Sequence, residues 1–275
     1  MRTRIVAEVA SNHAGSLPLA KEFIRIAAAV GADCVKFQSS RYEDLSRRED
    51  PQADWVRMTS LSDDAHRELI DTCRAHKIGF LTTCFSRTRV PFLTSLGMDE
   101  IKVASPDLMS FPLIELLSAS FRHIIISTGL HTCAEIRQAT AFLTRKRINA
   151  TLLHSVSIYP TPPEKAFMGK FLWLRTIYPH VGYSNHVPGT EAAKFAIAQG
   201  AEIVEVHFKL GKFGPGRATE WDLTPEELHD LIEYRNLIEK LAGKQEWLED
   251  ASFLFPEELA GRDRFIGRWV DNRKP

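Results

Sequence analysis

Two histidines stand at matching places in the second half of the chain, His186 in YSNHVPGT and His207 in EIVEVHFKL. Each lies at the end of a short apolar run of the kind that forms a buried strand. Two imidazoles, completed by water and substrate oxygens, suit a borderline divalent ion such as manganese, cobalt or zinc. Two lysines lie inside similar runs, Lys36 in CVKFQS and Lys102 in EIKVAS. A buried ammonium without a partner is costly, so both are accounted for if they face an anionic ligand. Lys36 also has a structural alternative, a pairing with Glu8 of AEVA. Hydroxyls at the ends of other runs (Thr83, Ser105, Ser127, Ser157 and Ser184) would add neutral donors to the same anion. The combination describes a pocket for a small molecule carrying phosphate and carboxylate groups.

The elements that must position these groups repeat along the chain. The apolar runs RIVAEVA, CVKFQS, GFLTTCF, EIKVAS, HIIISTG, ATLLHSVS, HVGYSN and EIVEVHF alternate with amphipathic stretches such as LPLAKEFIRIAAAVGA and DDAHRELIDTCRAHKI. Continuous apolar strands indicate burial on both faces, as in a parallel sheet. Eight such βα units predict an α/β protein, a (β/α)8 TIM barrel over residues 1–243, with a short C-terminal tail at 244–275 that is no separate domain. An open doubly wound sheet is the alternative, but EVASNHAGS after the first strand is not GxGxxG. Thr132 with Glu135 and Thr224 with Glu227 predict capping boxes. The stretch SRYEDLSRREDPQADWVRMTSL has no strong period and reads as a long loop over the barrel mouth.

Lysine plus arginine and aspartate plus glutamate both number 35, so charge gives no reason to expect nucleic acid or a membrane surface as partner. The N-terminus enters a strand pattern almost at once, so no signal peptide is expected. Four cysteines lack metal or disulfide spacing, which points to free thiols in a reducing cytoplasm. His154 reads as a core histidine, Cys84 as filler, and His13 in the NHAG turn as a loop former or a site residue.

AEVASNHAGSLPLAKEFIRIAAAVGADCVKFQSS, LTTCFS, IKVASPDLMSFPLIE, IISTGL, LLHSVSIYPTPPE, VGYSNHVPG and EVHF, in this order, resemble the sialic acid synthase (N-acetylneuraminate synthase) family over about residues 4–243. The resemblance implies a metal-dependent barrel that condenses phosphoenolpyruvate with the open-chain aldehyde of an aldose or amino sugar. It assigns His186 and His207 to a divalent metal, commonly manganese, with cobalt, magnesium or zinc as alternatives. It places Lys36 and Lys102 on the phosphate and carboxylate, with Thr83, Ser105, Ser127, Ser157 and Ser184 around them. Gln38 and Tyr159 would face the sugar, and Glu8 and Asp107 would handle protons and water.

The departures lie on the acceptor side. Family members usually continue into an antifreeze-like domain whose arginine reaches the sugar of a partner subunit; here that domain is expected to be missing, and a homodimer remains expected. The usual PGPDH becomes FGPGRATEWD, SGE or SGD becomes SPD, and SDH becomes SNH. These changes imply an acceptor other than the usual N-acetylmannosamine type, with Arg217 or one of Arg262, Arg264 and Arg268 replacing the missing arginine. An aldolase or lyase using a Schiff-base lysine, and a non-catalytic metabolite-binding barrel, are the competing expectations.

Overall fold

The computed structural model describes residues 2–45, 53–211, 219–243, 249 and 253–265. Strands β1 (Arg4–Ala10), β2 (Cys34–Ser39), β3 (Gly79–Cys84), β4 (Glu100–Val103), β5 (His123–Ser127), β6 (Ala150–His154), β7 (Val181–Asn185) and β8 (Ile203–His207) are parallel and pair in chain order. The last strand closes on the first, with Glu8 of β1 opposite both Lys36 of β2 and His207 of β8. The expected (β/α)8 barrel is therefore the fold of the chain.

Local signals explain the helices around it. Helix α1 (Leu17–Val30) starts where the Ser16 side chain accepts from Leu19 N, with a proline in the first turn. It ends at Gly31, whose φ of 93° suits a residue without Cβ. Its buried face is Ala20, Phe23, Ile24 and Ala27, the spacing of one helical stripe. The capping box predicted at Thr132 and Glu135 opens α7 (Cys133–Lys146). The one predicted at Thr224 and Glu227 opens α10 (Pro225–Ala242), with Thr224 N donating to Glu227 Oε2 and Glu227 N donating to Thr224 Oγ1. Such a cap contributes about 1 kcal/mol.

The stretch after β2 differs from the expected loop. It contains two short helices, α2 (Tyr42–Leu45) and α3 (Ala53–Thr59), before α4 (Asp63–Ala75). Their apolar residues are too few for a helical period to show in the sequence. The remaining helices are α5 (Val90–Ser95), α6 (Phe111–Ser118), α8 (Met168–Ile177) and α9 (Glu191–Ala198).

Strand parity sets the interior. Val6, Cys34, Leu81, Ile125, Leu153 and Ile203 form their own buried apolar cluster, distinct from the larger cluster containing the helix residues. Burying each large side chain of this kind contributes about 1.5–3 kcal/mol. Side chains repeat their direction every second residue along a strand, so the next inward positions are Glu8, Lys36, Thr83, Ser127, Ser155 and Glu205. Gly182 of β7 belongs to the apolar layer: a Cβ there would stand 2.6 Å from Leu153 Cδ2 and closer still to Ile203 O.

The chain divides into two compact units, Met1–Ile238 and Glu239–Pro275. The second contains the described helix α11 (Pro256–Phe265), with Glu258 Oε2 accepting from Phe255 N. Among the described residues no helix is long and apolar enough to cross a membrane.

Candidate active site

A cavity of about 710 Å³ opens at the C-terminal ends of the strands, the face where barrels of this kind carry their chemistry. Glu8, Lys36, Gln38, Thr83, Lys102, Ser105 and Ser127 line it from β1 to β5 and the turns that follow. Ser157, Tyr159, Ser184, His186 and His207 complete the wall from β6 to β8. Trp55, Val56 and Thr59 of α3 also line it.

The two lysines are in different situations. Lys36 Nζ lies 2.5 Å from Glu8 Oε2 and 2.8 Å from Glu205 Oε2, with all three side chains almost fully buried. Each carboxylate has a further donor: Ala10 N reaches Glu8 Oε1 at 2.6 Å, and Ser184 Oγ donates to Glu205 Oε1 at 3.0 Å. Burial lowers the Lys36 ammonium to about 8 against the pull of Glu205. Burial alone would raise the Glu205 carboxyl, but Lys36 and Lys102 outweigh it and hold it at about 2. The pairing of Lys36 with Glu8 anticipated from sequence is present, and a second carboxylate joins it.

Among the described residues Lys102 has only neutral hydrogen-bond partners. Its Nζ donates to Ser127 Oγ at 2.6 Å and to Val103 O at 3.1 Å. Burial lowers its ammonium too, against the pull of Glu205. Beside it, Gly129 N donates to Ser105 Oγ at 3.1 Å and to Ser155 Oγ at 3.2 Å, and those hydroxyls are 3.2 Å apart. A Cβ at Gly129 would stand 2.8 Å from Ser105 Oγ, 2.9 Å from Ser155 Oγ and nearer still to Ser157 Oγ. One buried ammonium and a crown of hydroxyls form a pole suited to a multivalent anion.

The histidines face each other with ring centroids 5.3 Å apart. His186 Nδ1 donates to Val156 O at 2.7 Å, which leaves the Nε2 lone pair for another partner. Asn185, fully buried, shapes this turn: its Nδ2 donates to Val187 O at 2.9 Å and Gly189 O at 3.4 Å, and its Oδ1 accepts from Val187 N and Tyr183 OH. His207 Nδ1 is 3.7 Å from Asp222 Oδ1. Burial and the facing His186 push the His207 imidazole down to about 3, and burial also lowers His186. Both imidazoles are therefore neutral near pH 7, each with a ring nitrogen lone pair to offer. Among the described residues no group of three or more His, Cys, Asp and Glu side chains converges as a metal cage. The donor set fits a divalent ion held by two imidazoles, with its other positions filled by substrate or water oxygens.

Some expectations fall elsewhere. Asp107 does not line the cavity; Ser105–Asp107 is a 3-10 turn, and Asp107 Oδ1 accepts from Ser110 Oγ at 2.9 Å. Its carboxylate is bonded within its own turn, and the structure does not bring it to the cavity with the other expected site residues. Arg217, Arg268 and the side chain of Arg264 lie outside the described residues, and Arg262 is exposed in the second unit. His154 is a core residue, bonded through Nε2 to Ala166 O at 2.9 Å and stacked on Tyr183. His13 shapes its own turn, accepting from Gly15 N at 3.1 Å, and Cys84 is buried. Sequence reasoning finds Asn12, Ser155 and Glu205 among the polar residues at the strand ends but gives them no role, and it does not select Trp55, Trp221 or Asp222; all six line the cavity. Glu205 had a signal: it shares its strand face with His207, two residues on.

The NeuB family pattern matches residues 23–247. The chain belongs to the NeuB family. It is 34% identical over 260 residues to the N,N'-diacetyllegionaminic acid synthase of Campylobacter jejuni, covering 88% of this chain and 78% of that protein. It is 31% identical over 281 residues to the human N-acetylneuraminate-9-phosphate synthase, covering 97% of this chain and 77% of that one. The crystal structure of a sialic acid synthetase from Leptospira borgpetersenii superposes with a TM-score of 0.87 at 28% identity, covering 96% of this chain and 93% of that one. This NeuB family member is accordingly a sialic acid synthase-like enzyme.

Proposed function

We propose that this NeuB family chain joins phosphoenolpyruvate to an aldehyde-bearing sugar and releases phosphate. C3 of phosphoenolpyruvate bonds to the aldehyde carbon, and the aldehyde oxygen takes up a proton. Water adds at C2, and cleavage of the C2–O bond expels phosphate, giving a 2-keto-3-deoxy acid. The observation that carries this reading is one cavity holding Lys102 with its crown of hydroxyls on one side and the His186 and His207 pair on the other.

Lys102, Ser105, Ser127 and Ser155 bind and orient the anion. His186 and His207 would hold a divalent ion, manganese before cobalt, magnesium or zinc, which when bound supplies Lewis-acid polarisation of the aldehyde oxygen. Lys36, lowered to about 8 between Glu8 and Glu205, is the group fitted to exchange a proton near neutral pH. That assignment takes over the role expected of Asp107. The aldolase alternative needs a Schiff-base lysine, and borohydride trapping with pyruvate separates it from condensation.

The test is phosphate release from phosphoenolpyruvate with manganese, over aldoses and mono- and diacetamido sugars, with chelated and His207→Ala controls. Release that requires an acceptor, the metal and His207 supports condensation. Acceptor-independent release, or a lysine trapped by borohydride with pyruvate, would overturn it.

A further inference from the structure

Residues 155–161, between β6 and α8, serve both halves of the cavity. Ser155 Oγ accepts from Gly129 N at 3.2 Å and lies 3.2 Å from Ser105 Oγ. Ser157 Oγ is the atom nearest to where a Cβ of Gly129 would stand. Both hydroxyls thus belong to the anion pole. The residue between them belongs to the other pole, because Val156 O accepts from His186 Nδ1 at 2.7 Å. Further along the same loop, Thr161 N donates to His186 O at 2.9 Å, and the Tyr159 ring lies 4.2 Å from the His186 ring. One loop therefore holds His186 by its ring and by its main chain while carrying two hydroxyls of the anion pole.

One side chain ties the two attachments of His186 together. Thr161 Oγ1 donates to Ile158 O at 2.7 Å and lies 3.4 Å from Val156 O, the oxygen that also accepts from the His186 ring. Thr161 is almost fully buried and does not line the cavity, so its hydroxyl works within the loop. An imidazole serves as a ligand only when the partner of its other nitrogen holds the ring in the right direction. Here that partner is the carbonyl of the peptide bond leading to Ser157. An anion that fixes the Ser155 and Ser157 hydroxyls also fixes this carbonyl, and with it the direction of His186 Nε2.

Resting on the assignment of His186 and His207 to a divalent ion in the condensation proposed above, we infer that Thr161 is a positioning residue that couples the two poles. An anion held at Ser155 and Ser157 tightens the ion at His186, and the ion tightens the anion by the same factor. Without the Thr161 hydroxyl, the ring and main-chain attachments of His186 are joined only through the backbone of the loop, and part of that factor is lost. Attraction between anion and cation across the cavity adds to the coupling. It is the same in the parent and in Thr161 variants, which keep every charge.

The experiment measures binding on the full chain, with no acceptor present. Manganese affinity is read by electron paramagnetic resonance with and without saturating phosphoenolpyruvate, and phosphoenolpyruvate affinity by calorimetry with and without manganese. Either ratio gives the coupling factor, which in the parent should be about fivefold or more. Thr161→Val keeps the side-chain shape and the backbone N–H but not the hydroxyl. Its factor should fall by about threefold or more, with phosphoenolpyruvate affinity in metal-free buffer unchanged. Thr161→Ala removes the same hydroxyl with a smaller side chain and should behave alike, whereas Thr161→Ser should keep the parent factor. A parent factor retained in Thr161→Val and Thr161→Ala overturns the inference. So does anion binding weakened equally with and without manganese, the mark of a loop merely loosened. A parent that binds both ligands without coupling overturns the inference alone. A parent that binds no manganese overturns the metal assignment, and the inference falls with it.

Discussion

Replacing each cavity lysine by glutamine should separate two roles that look alike in the sequence. In Lys36→Gln, Glu8 and Glu205 lose the ammonium at 2.5 and 2.8 Å while staying almost fully buried. Breaking a buried pair by removing one partner costs about 3–5 kcal/mol. At about 2–4 °C per kcal/mol for a domain of this size, Tm should fall by roughly 6–20 °C. In Lys102→Gln the lost bonds are to Ser127 Oγ and Val103 O, both neutral. An amide can remake a neutral hydrogen bond, so Tm should hold or rise. The ligand instead loses a charge-assisted bond of about 1.5–3 kcal/mol, weakening phosphoenolpyruvate roughly 10- to 150-fold. Thermal unfolding and calorimetric titration of phosphoenolpyruvate, both on metal-free protein, read the two effects separately. A Lys36→Gln protein with unchanged Tm and the larger loss of affinity would refute the division of roles. So would a Lys102→Gln protein destabilised as much as Lys36→Gln.

Three further expectations follow from single contacts. Gly129→Ala should raise the phosphoenolpyruvate KM tenfold or more with the circular dichroism spectrum retained, because the new Cβ displaces the Ser105, Ser155 and Ser157 hydroxyls; steady-state kinetics check it. Asn185→Asp loses the donors to Val187 O and Gly189 O, at a cost of about 1–3 kcal/mol, and should loosen the turn that carries His186. Manganese affinity measured by electron paramagnetic resonance should drop, with phosphoenolpyruvate affinity in metal-free buffer retained. At the other end of the barrel, Glu100 pairs with Arg4 and with His123 Nδ1, the latter at 2.9 Å. Burial would raise its carboxyl, but these partners hold it at about 2, below the 4.5 of the free side chain. The stability it lends is therefore complete above pH 4.5 and lost as pH falls from 4.5 toward 2. With the side chain a quarter exposed, this amounts to about 1–2 kcal/mol. Denaturant titrations of Glu100→Gln should show a shallower acid limb than the parent.

The period of the chain made the barrel legible, because parallel strands buried on both faces differ sharply in pattern from the helices between them. The strand ends made most of the cavity legible by a related route: a lysine or histidine at an inward position is costly unless a ligand or a counter-charge meets it. Pairing was less accessible. Lys36 and Lys102 look equivalent in sequence, and only the register across β8, β1 and β2 shows that the first is flanked by carboxylates. Asp107 is one turn residue too far: Ser105 and Pro106 of the same 3-10 turn line the cavity and Asp107 does not. Trp221 and Asp222 gave no signal, since they belong to no periodic element and reach the cavity through a turn and an isolated pairing of Phe208 with Leu223. Arg217 lies outside the described residues.

The seam of the barrel runs through the middle of its chemistry. Glu8 is on the first strand of the barrel, and Glu205 and His207 are on its last. Until that last strand docks, Lys36 has one carboxylate rather than two, and His186 lacks its facing imidazole. Closing the cylinder is thus the same event that gives Lys36 its second carboxylate and sets the two imidazoles face to face.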